Sequence, residues 1–554
     1  MKKFGIYLAY PPTLDLRAEG LGRHLAEFLK EAKNCPTAKF VIACPSWTRK
    51  SLGDLLEGVG VSPDAFEIIG PKDQPMFLKL YQLYQDYKRR TRDQSRFLRL
   101  FRVLKRRCAR DLTRAEGLLV TTRSSLLLAF LALLALPFVV IAVAAMAVSW
   151  FSALFVAAWP KLRVRLIRSR LFRQYSTLVT RVATKPQASS TTVRLYRLME
   201  EAEASLLLED INSRKDVSAW YSPTAFWPHF NRINAPRLTC VPDVVLSESP
   251  IGFSAVGGDR VLQTFGLVEA TIEGGDHFVT YSEHIKYRTL VERYQVSPSA
   301  IDVVPHGANR LDNLIAVSGF PDNEASTEAF CVNRFQGALY KAIGTQQASN
   351  FDSGDVEFIF YASQFRPNKN VMTLLRAYDH LLKRRYIAHK LVLTGDPNSL
   401  PDIARFIRDR NLQNDVLCLH DLSAQELAAC YRLADLAVNP SLSEGGCPFT
   451  LTEALSVGTP VVMARIAVTE EVVTDPELQD IMLFNPYDWE DMAARIEWAL
   501  QNKEELLERQ RALYEQLAKR SWSTVVNEYI AILDRLSSST SSNEHSEMTD
   551  ARPG

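Results

Sequence analysis

Glu444 and Glu453 flank a glycine-bearing loop in the segment ADLAVNPSLSEGGCPFTLTEALSVGTPVVMA, the most specific chemical signal in the chain. A strand is expected to end at Pro440 and a helix to begin near Thr450. Unpaired backbone N–H groups and the positive end of the helix dipole make such a junction an anion site. Gly445 and Gly446 would let a phosphate approach the backbone closely. Glu444 stands at the C-terminal edge of the strand, the side on which open parallel sheets bind ligands. Glu453 falls in the first helical turn, where a second reading is open. Thr450-Leu451-Thr452-Glu453 is also a capping box, which by itself accounts for a glutamate there.

The elements that must position these residues alternate strand and helix. FGIYLAY, a loop with Gly20 and Gly22, the helix RHLAEFLKEA and the strand KFVIAC make a βαβ opening. The pattern resumes with RLTCVPDVV, HFVTYS, the helix HIKYRTLVERY and IDVVPHG, and an irregular polar boundary is expected near residues 310–350. A second α/β unit starts at VEFIFYAS and runs through NVMTLLRAYDHLLKRR, KLVLTG, PDIARFIRDR, DVLCLH, AQELAACYRLA and LAVNPS to PVVMA. Strands separated by helices of this length imply parallel sheets covered on both faces. Two such units leave a cleft between them, and the last helices, through SWSTVVNEYIAILDRL, are expected to pack back across it.

Between the two parts of the first unit, Ser124–Pro160 runs thirty-seven residues without a charged side chain. One membrane crossing needs about 20 apolar residues for roughly 30 Å of hydrocarbon. Arg and Lys crowd both flanks, from Lys88 to Arg114 and from Lys161 to Arg173, and basic flanks are retained on the cytoplasmic side. A hairpin with both ends cytoplasmic follows, as two short crossings or a re-entrant pair; a buried soluble hairpin is the alternative. The basic segment RFLRLFRVLKRR reads as a helix lying on anionic headgroups. The N-terminus MKKFGIYLAYPP ends its apolar stretch in Pro11-Pro12, so it reads as a buried strand and not a signal peptide. SSSTSSNEHSEMTDARPG reads as a disordered tail.

The 554 residues give room for two to four domains, and from a net charge of +2 no general nucleic-acid affinity follows. The eight cysteines are scattered, without zinc or thioredoxin spacing, as expected for reduced cytosolic thiols. No metal site is expected; Asp352 and Asp355 read as loop residues.

Pro440, Ser441, Glu444, Gly445, Pro448, Glu453, Ala454, Gly458, Pro460, Val461 and Val462 together resemble the signature of the retaining GT-B glycosyltransferases, the glycogen-synthase and bacterial mannosyltransferase-like group 1. The spacing of the two glutamates is one residue longer than the family commonly has, so the loop is bulged or shifted. The resemblance implies that Glu444 contacts the transferred sugar and Glu453 the donor ribose, while Thr450 and Leu451 offer backbone amides to the pyrophosphate. FYASQFRPNKNVMTLLRAY resembles the family segment whose Arg and Lys hold the diphosphate. Lys369 fits the lysine; Gln364 stands at the arginine position, and Arg366 is taken as the substitute. Negative charge grows on a departing nucleoside diphosphate, and cationic side chains stabilise it. Gly395, ending LVLTGD, would face the donor. Pro242-Asp243 resembles a stretch that often ends in His-Asp, so Asp243 is carried over as a catalytic-cleft residue; a strand-end turn aspartate is the alternative. Gly20 and Gly22, beside Arg23 and His24, match the acceptor-side loop, and His306-Gly307 falls near the interdomain linker.

The expected fold is therefore α/β of GT-B type, two Rossmann-like domains facing a cleft, with an inserted membrane hairpin. Its expected parts are residues 1–60 and 206–335 as acceptor domain, 61–205 as basic insertion, 345–535 as donor domain and 536–554 as tail. The resemblance implies a membrane-associated retaining transferase that moves a hexose from a nucleotide diphosphate sugar to a lipid-linked or other glycan acceptor. No cofactor or metal is required, and the location is the cytoplasmic face of the inner membrane. Alternatives are a sugar-nucleotide epimerase or phosphorylase of the same fold, or a silent scaffold in polysaccharide assembly.

Overall fold

The computed structural model describes residues 1–12, 14, 16, 20–76, 78–79, 191–245, 252–253, 259–343 and 356–550. The chain divides into two compact units, Met1–Asp73 with Ala202–Gly554 and Gln74–Glu201, and both sheets lie in the first. The uncharged run, its basic flanks and the hairpin expected from them lie outside the described residues, as do Asp352 and Asp355. Among the described residues no helix is long and apolar enough to cross a membrane.

Short strands buried on both faces read as nearly continuous apolar runs, and these do. The first sheet is built from β1 (Lys2–Tyr7), β2 (Ala38–Ala43), β3 (Glu67–Ile69), β4 (Ala219–Ser222), β5 (Arg237–Cys240), β6 (Phe278–Thr280) and β7 (Ile301–Val303), in the order β3-β2-β1-β4-β5-β6-β7. The second has β8 (Phe358–Tyr361), β9 (Lys390–Leu393), β10 (Val416–Cys418), β11 (Leu436–Asn439), β12 (Val461–Ala464) and β13 (Leu483–Phe484), in the order β10-β9-β8-β11-β12-β13. Every strand pair is parallel. Both sheets thus have the doubly wound Rossmann order, which reverses direction beside the first strand and opens a ligand crevice there. β3 belongs to the first sheet although it lies beyond residue 60, the expected end of the first part of that domain.

Helix α1 (Gly20–Ala32) follows β1. In the stretch expected to be irregular, Asn323–Ile343 forms a helix, α2. Its Cys331, Phe335, Ala338 and Leu339 are buried at helical spacing in the core of the second domain, which begins at Leu311. The polar look of the segment comes from the face this helix leaves to solvent. Helices α3 (Val371–Arg384), α4 (Phe449–Ser456) and α5 (Ala467–Val472) follow β8, β11 and β12. The last helix, α6 (Trp522–Asp550), returns to the first domain and buries Trp522, Val525, Val526, Tyr529, Ile532, Leu533 and Leu536 in its core. It continues to Asp550, into the segment expected to be disordered. Ser537 and Ser538 both donate to the Asp534 carbonyl (2.8 and 2.9 Å), so these hydroxyls are satisfied within the helix.

Trp220 is paired in register with Gly5 and lies fully buried against it. A Cβ at Gly5 would stand 2.1 Å from the indole ring, so β1 needs glycine here for packing and not for its φ. Gly266 is exposed on the helix Asp259–Glu273, with nothing near a Cβ. Gly5→Ala should therefore cost about 1–3 kcal/mol, whereas Gly266→Ala should stabilise by about 1 kcal/mol. Thermal unfolding of the two variants checks this; equal midpoints would contradict it.

Candidate functional site

The site grows from loops at the C-terminal ends of strands in both sheets. After β8 the chain makes a 3-10 turn, Pro367–Lys369, and enters α3 through Asn370 at φ 52°. Asn tolerates that left-handed conformation better than most residues. The Asn370 side chain donates to Pro486 O (2.7 Å), and Leu442 N donates to Asn368 O (2.8 Å), so the turn is tied to its neighbours. This fixes Lys369, whose Nζ lies 2.7 Å from Glu444 Oε1. Burial works against the Lys369 ammonium, but the charges of Glu444, Tyr361 and Asp243 outweigh it and hold the pKa above its ordinary value. The sequence-predicted Lys369, Glu444 and Asp243 are thus brought together.

The loop before α4 is pinned by Asn439. Its Nδ2 donates to Thr450 Oγ1 (3.0 Å), and its Oδ1 accepts from Ser441 N (3.2 Å). Helix α4 starts at Phe449 after Pro448, which makes no side-chain cap. Thr450 is therefore inside the helix, and the capping-box reading fails. The Glu453 carboxylate goes elsewhere: Oε1 accepts from Arg23 Nη1 (2.8 Å) and Asn309 Nδ2 (3.2 Å). The Glu453 side chain is 2% exposed, and its Oε2 has no hydrogen-bond partner among the described residues. The Tyr431 hydroxyl faces the same carboxylate at the edge of hydrogen-bond reach. Burial and then the Glu453 charge hold that phenol well above its usual range.

The glycines serve a different contact from the expected one. A Cβ at Gly445 would meet Pro242 O at 2.0 Å, and one at Gly446 would meet Tyr281 Cβ at 2.7 Å. Gly445 O accepts from Ser282 Oγ (2.9 Å). Both glycines let the backbone of the second domain press on the first, and the space beside them is filled by protein. Nearby, Glu471 on α5 accepts from the backbone N–H groups of Glu283 and His284 (2.9 and 3.1 Å), at the start of a π-helix, Ile285–Arg293. The Leu451 amide donates to Pro448 O (3.0 Å), so it is already engaged by its own helix start. Gly395 is buried under the Phe365 ring, which a Cβ would meet at 2.1 Å. Arg366 is exposed and donates to Gln364 Oε1 (3.2 Å). Gly20 opens α1, and Gly22 sits against the Leu16 backbone, where a Cβ would come within 1.8 Å of the carbonyl oxygen.

Sequence reasoning singled out neither Asn309, Glu471 and Ser282 nor the partnership of Arg23 with Glu453. The signal for Arg23 was a buried carboxylate in need of a cation, but nothing local says which cation reaches it. Beside the pair lies an aromatic cluster. His24 stacks on Tyr281 (5.1 Å between centroids) and meets Trp522 edge-on (4.9 Å), and His306 lies 4.3 Å from Phe449. Burial, with the His306 charge added, pushes His24 down to about 3. Burial also pushes His306 down to about 4, against the raising effect of nearby backbone carbonyls. Both imidazoles are neutral near pH 7. Among the described residues, Glu357, His389 and Asp435 form a three-ligand grouping able to hold a metal ion. They precede β8, β9 and β11, at the opposite strand ends from the cleft, and Asp435 is already bound by Lys503 (2.9 Å) and Phe358 N (3.1 Å).

Residues 344–520 match the family model of glycosyl transferases group 1. An MMP alpha-(1->4)-mannosyltransferase of Mycolicibacterium hassiacum is 31% identical over 184 residues, 32% of this chain and 42% of that protein. The serotype-specific mannosyltransferase WbdA of Escherichia coli is 32% identical over 188 residues, 32% of this chain and 22% of its own. The chain thus spans less than half the length of these curated relatives. Among solved structures, a sucrose-phosphate synthase from Thermosynechococcus elongatus aligns with a TM-score of 0.45 at 16% identity, over 61% of this chain and 79% of that one.

The buried histidines give a pH dependence. Their folded pKa values lie below the ordinary 6.5, so between pH 6.5 and about 4 the unfolded chain takes up protons that the native state refuses. Stability is complete above 6.5 and falls as the pH drops through this window. His24→Phe should flatten that fall by one proton, read as thermal midpoints at several pH values across the window. An unchanged slope would contradict the assignment.

Proposed function

We propose that the cleft binds a nucleotide diphosphate sugar and that the protein is a retaining hexosyltransferase acting on a glycan acceptor. The observation that carries this reading is Glu453. A buried carboxylate with one oxygen that no close donor satisfies among the described residues, one turn from an uncapped helix start, suits a donor that offers hydroxyls beside phosphates. In this reading the ribose hydroxyls donate to Glu453 Oε2, and the diphosphate meets Lys369 and the first turn of α4, with the Thr450 amide among its contacts. Arg366 stands at the mouth, and Gly395 shapes the wall with Phe365.

As the glycosidic bond breaks, the electron pair leaves with the diphosphate, and Lys369 offsets the growing charge. The acceptor hydroxyl attacks the same face that the diphosphate leaves and gives its proton to the departing phosphate. Glu444, freed from Lys369 as the phosphate takes over the ammonium, holds the sugar hydroxyls, and Asp243 lines the cleft beside it. The two curated relatives described above are named mannosyltransferases, which favours mannose as the hexose. The uncharged run with its basic flanks supports an acceptor presented by a lipid at the cytoplasmic face of the inner membrane, in surface polysaccharide or glycolipid synthesis.

Membranes carrying the protein should transfer hexose from one member of a nucleotide-sugar panel to an extracted lipid acceptor, with the donor anomeric configuration kept. Lys369→Ala should lower kcat about 10²–10³-fold. Glu453→Gln should act mainly by raising the donor KM, about tenfold or more. Glu444→Ala and Lys369→Ala proteins with wild-type turnover would refute the assignment and favour a silent scaffold.

A further inference from the structure

We infer that Arg23 is a phosphate-binding residue for the donor, supplied by the domain opposite the one that holds the nucleotide. This rests on the donor reading above and extends it to a residue that reading does not use. Phe449 and Glu453 are first and fifth in α4, so they lie one above the other on one face of the helix. The Arg23 guanidinium touches both, 2.8 Å from Glu453 Oε1 and 5.7 Å from the centre of the Phe449 ring. It therefore lies along the helix start at which the diphosphate would be held, and its side chain remains 39% exposed.

Charge balance gives the second argument. The donor-domain cation at this place is Lys369, which Glu444 already engages. Gln364 occupies the position where a second cation was expected, and Arg366 is exposed and bonded to that glutamine. A leaving nucleoside diphosphate develops more negative charge than one ammonium offsets. Arg23 brings a planar fork of five donors, suited to paired phosphate oxygens, and its bond to Glu453 is made through Nη1. Its helix α1 lies beyond the C-terminal end of β1, with Gly22 against the Leu16 backbone. Because Arg23 comes from the first domain, the second positive charge reaches the diphosphate only when the two domains are together. Closure of the cleft and stabilisation of the leaving group are then one event.

The test is calorimetric binding of UDP, GDP and ADP, and of the matching monophosphates, to the full chain and to its Arg23→Gln and Arg23→Lys variants. For the base that the wild type binds, Arg23→Gln should weaken the diphosphate about 10–100-fold and the monophosphate by far less. Arg23→Lys should recover part of the loss, with thermal midpoints confirming that both variants fold. Diphosphate affinity equal to or tighter than wild type in Arg23→Gln would overturn the inference and leave Arg23 as a counter-ion that holds the cleft shut. Wild-type protein that binds none of the three diphosphates would instead sink the donor reading itself, and this inference with it.

Discussion

A single buried carboxylate sets the terms for the cleft. Burying a charge without partners costs several kcal/mol, and Glu453 is withdrawn almost completely from water. Its partners come from across the molecule, Arg23 from the first domain and Asn309 from the linker. Asn309 is itself fixed: its N–H donates to Thr452 Oγ1 (3.3 Å), and its Oδ1 accepts from Trp522 Nε1 (3.3 Å). Domain, linker and closing helix therefore meet at one residue of α4. The meeting is reinforced at a distance by Glu471 on the start of the π-helix and by Gly445 against Pro242.

The second ion pair has a different character. Lys369 and Glu444 are both partly exposed and lie in loops on the same domain, so their pairing is local and can be exchanged. With Asp243 close by, the cleft holds this cation among carboxylates. An incoming phosphate then competes for an ammonium already in place, and Glu444 is released toward the sugar. The cation thus needs no long approach, because the turn at Asn370 and the Asn368–Leu442 bond have set it at the strand ends.

Much of this was legible in the chain. Alternating apolar strands and helices announced two parallel sheets, and the segment from Pro440 to Glu453 was expected as a strand end, a loop and a helix start, which it is. What was lost was lost for physical reasons. Asn323–Ile343 has its buried residues at helical spacing, but a polar outer face masked them. The Thr450–Glu453 spacing fits a capping box, but the cap is void because the helix starts one residue earlier and Glu453 has stronger partners than a backbone amide. Gly445 and Gly446 were expected to admit a phosphate, and the groups packed against them here are the Pro242 carbonyl and the Tyr281 side chain of the other domain. Arg23 and Glu453 are 430 positions apart, and no local pattern encodes that they touch. Pairings across a domain cleft are fixed by how two finished folds meet, which a periodicity along one segment does not carry.

The central claim is that the buried Oε2 of Glu453 and the ammonium of Lys369 mark the two ends of one bound nucleotide. A crystal structure of the full chain with the nucleoside diphosphate it binds tests this most directly. The account predicts a ribose hydroxyl within hydrogen-bond distance of Glu453 Oε2 and the diphosphate between Lys369 Nζ and the first turn of α4. A nucleotide bound outside the cleft, or one bound inside it with Glu453 Oε2 still without a partner, would contradict it.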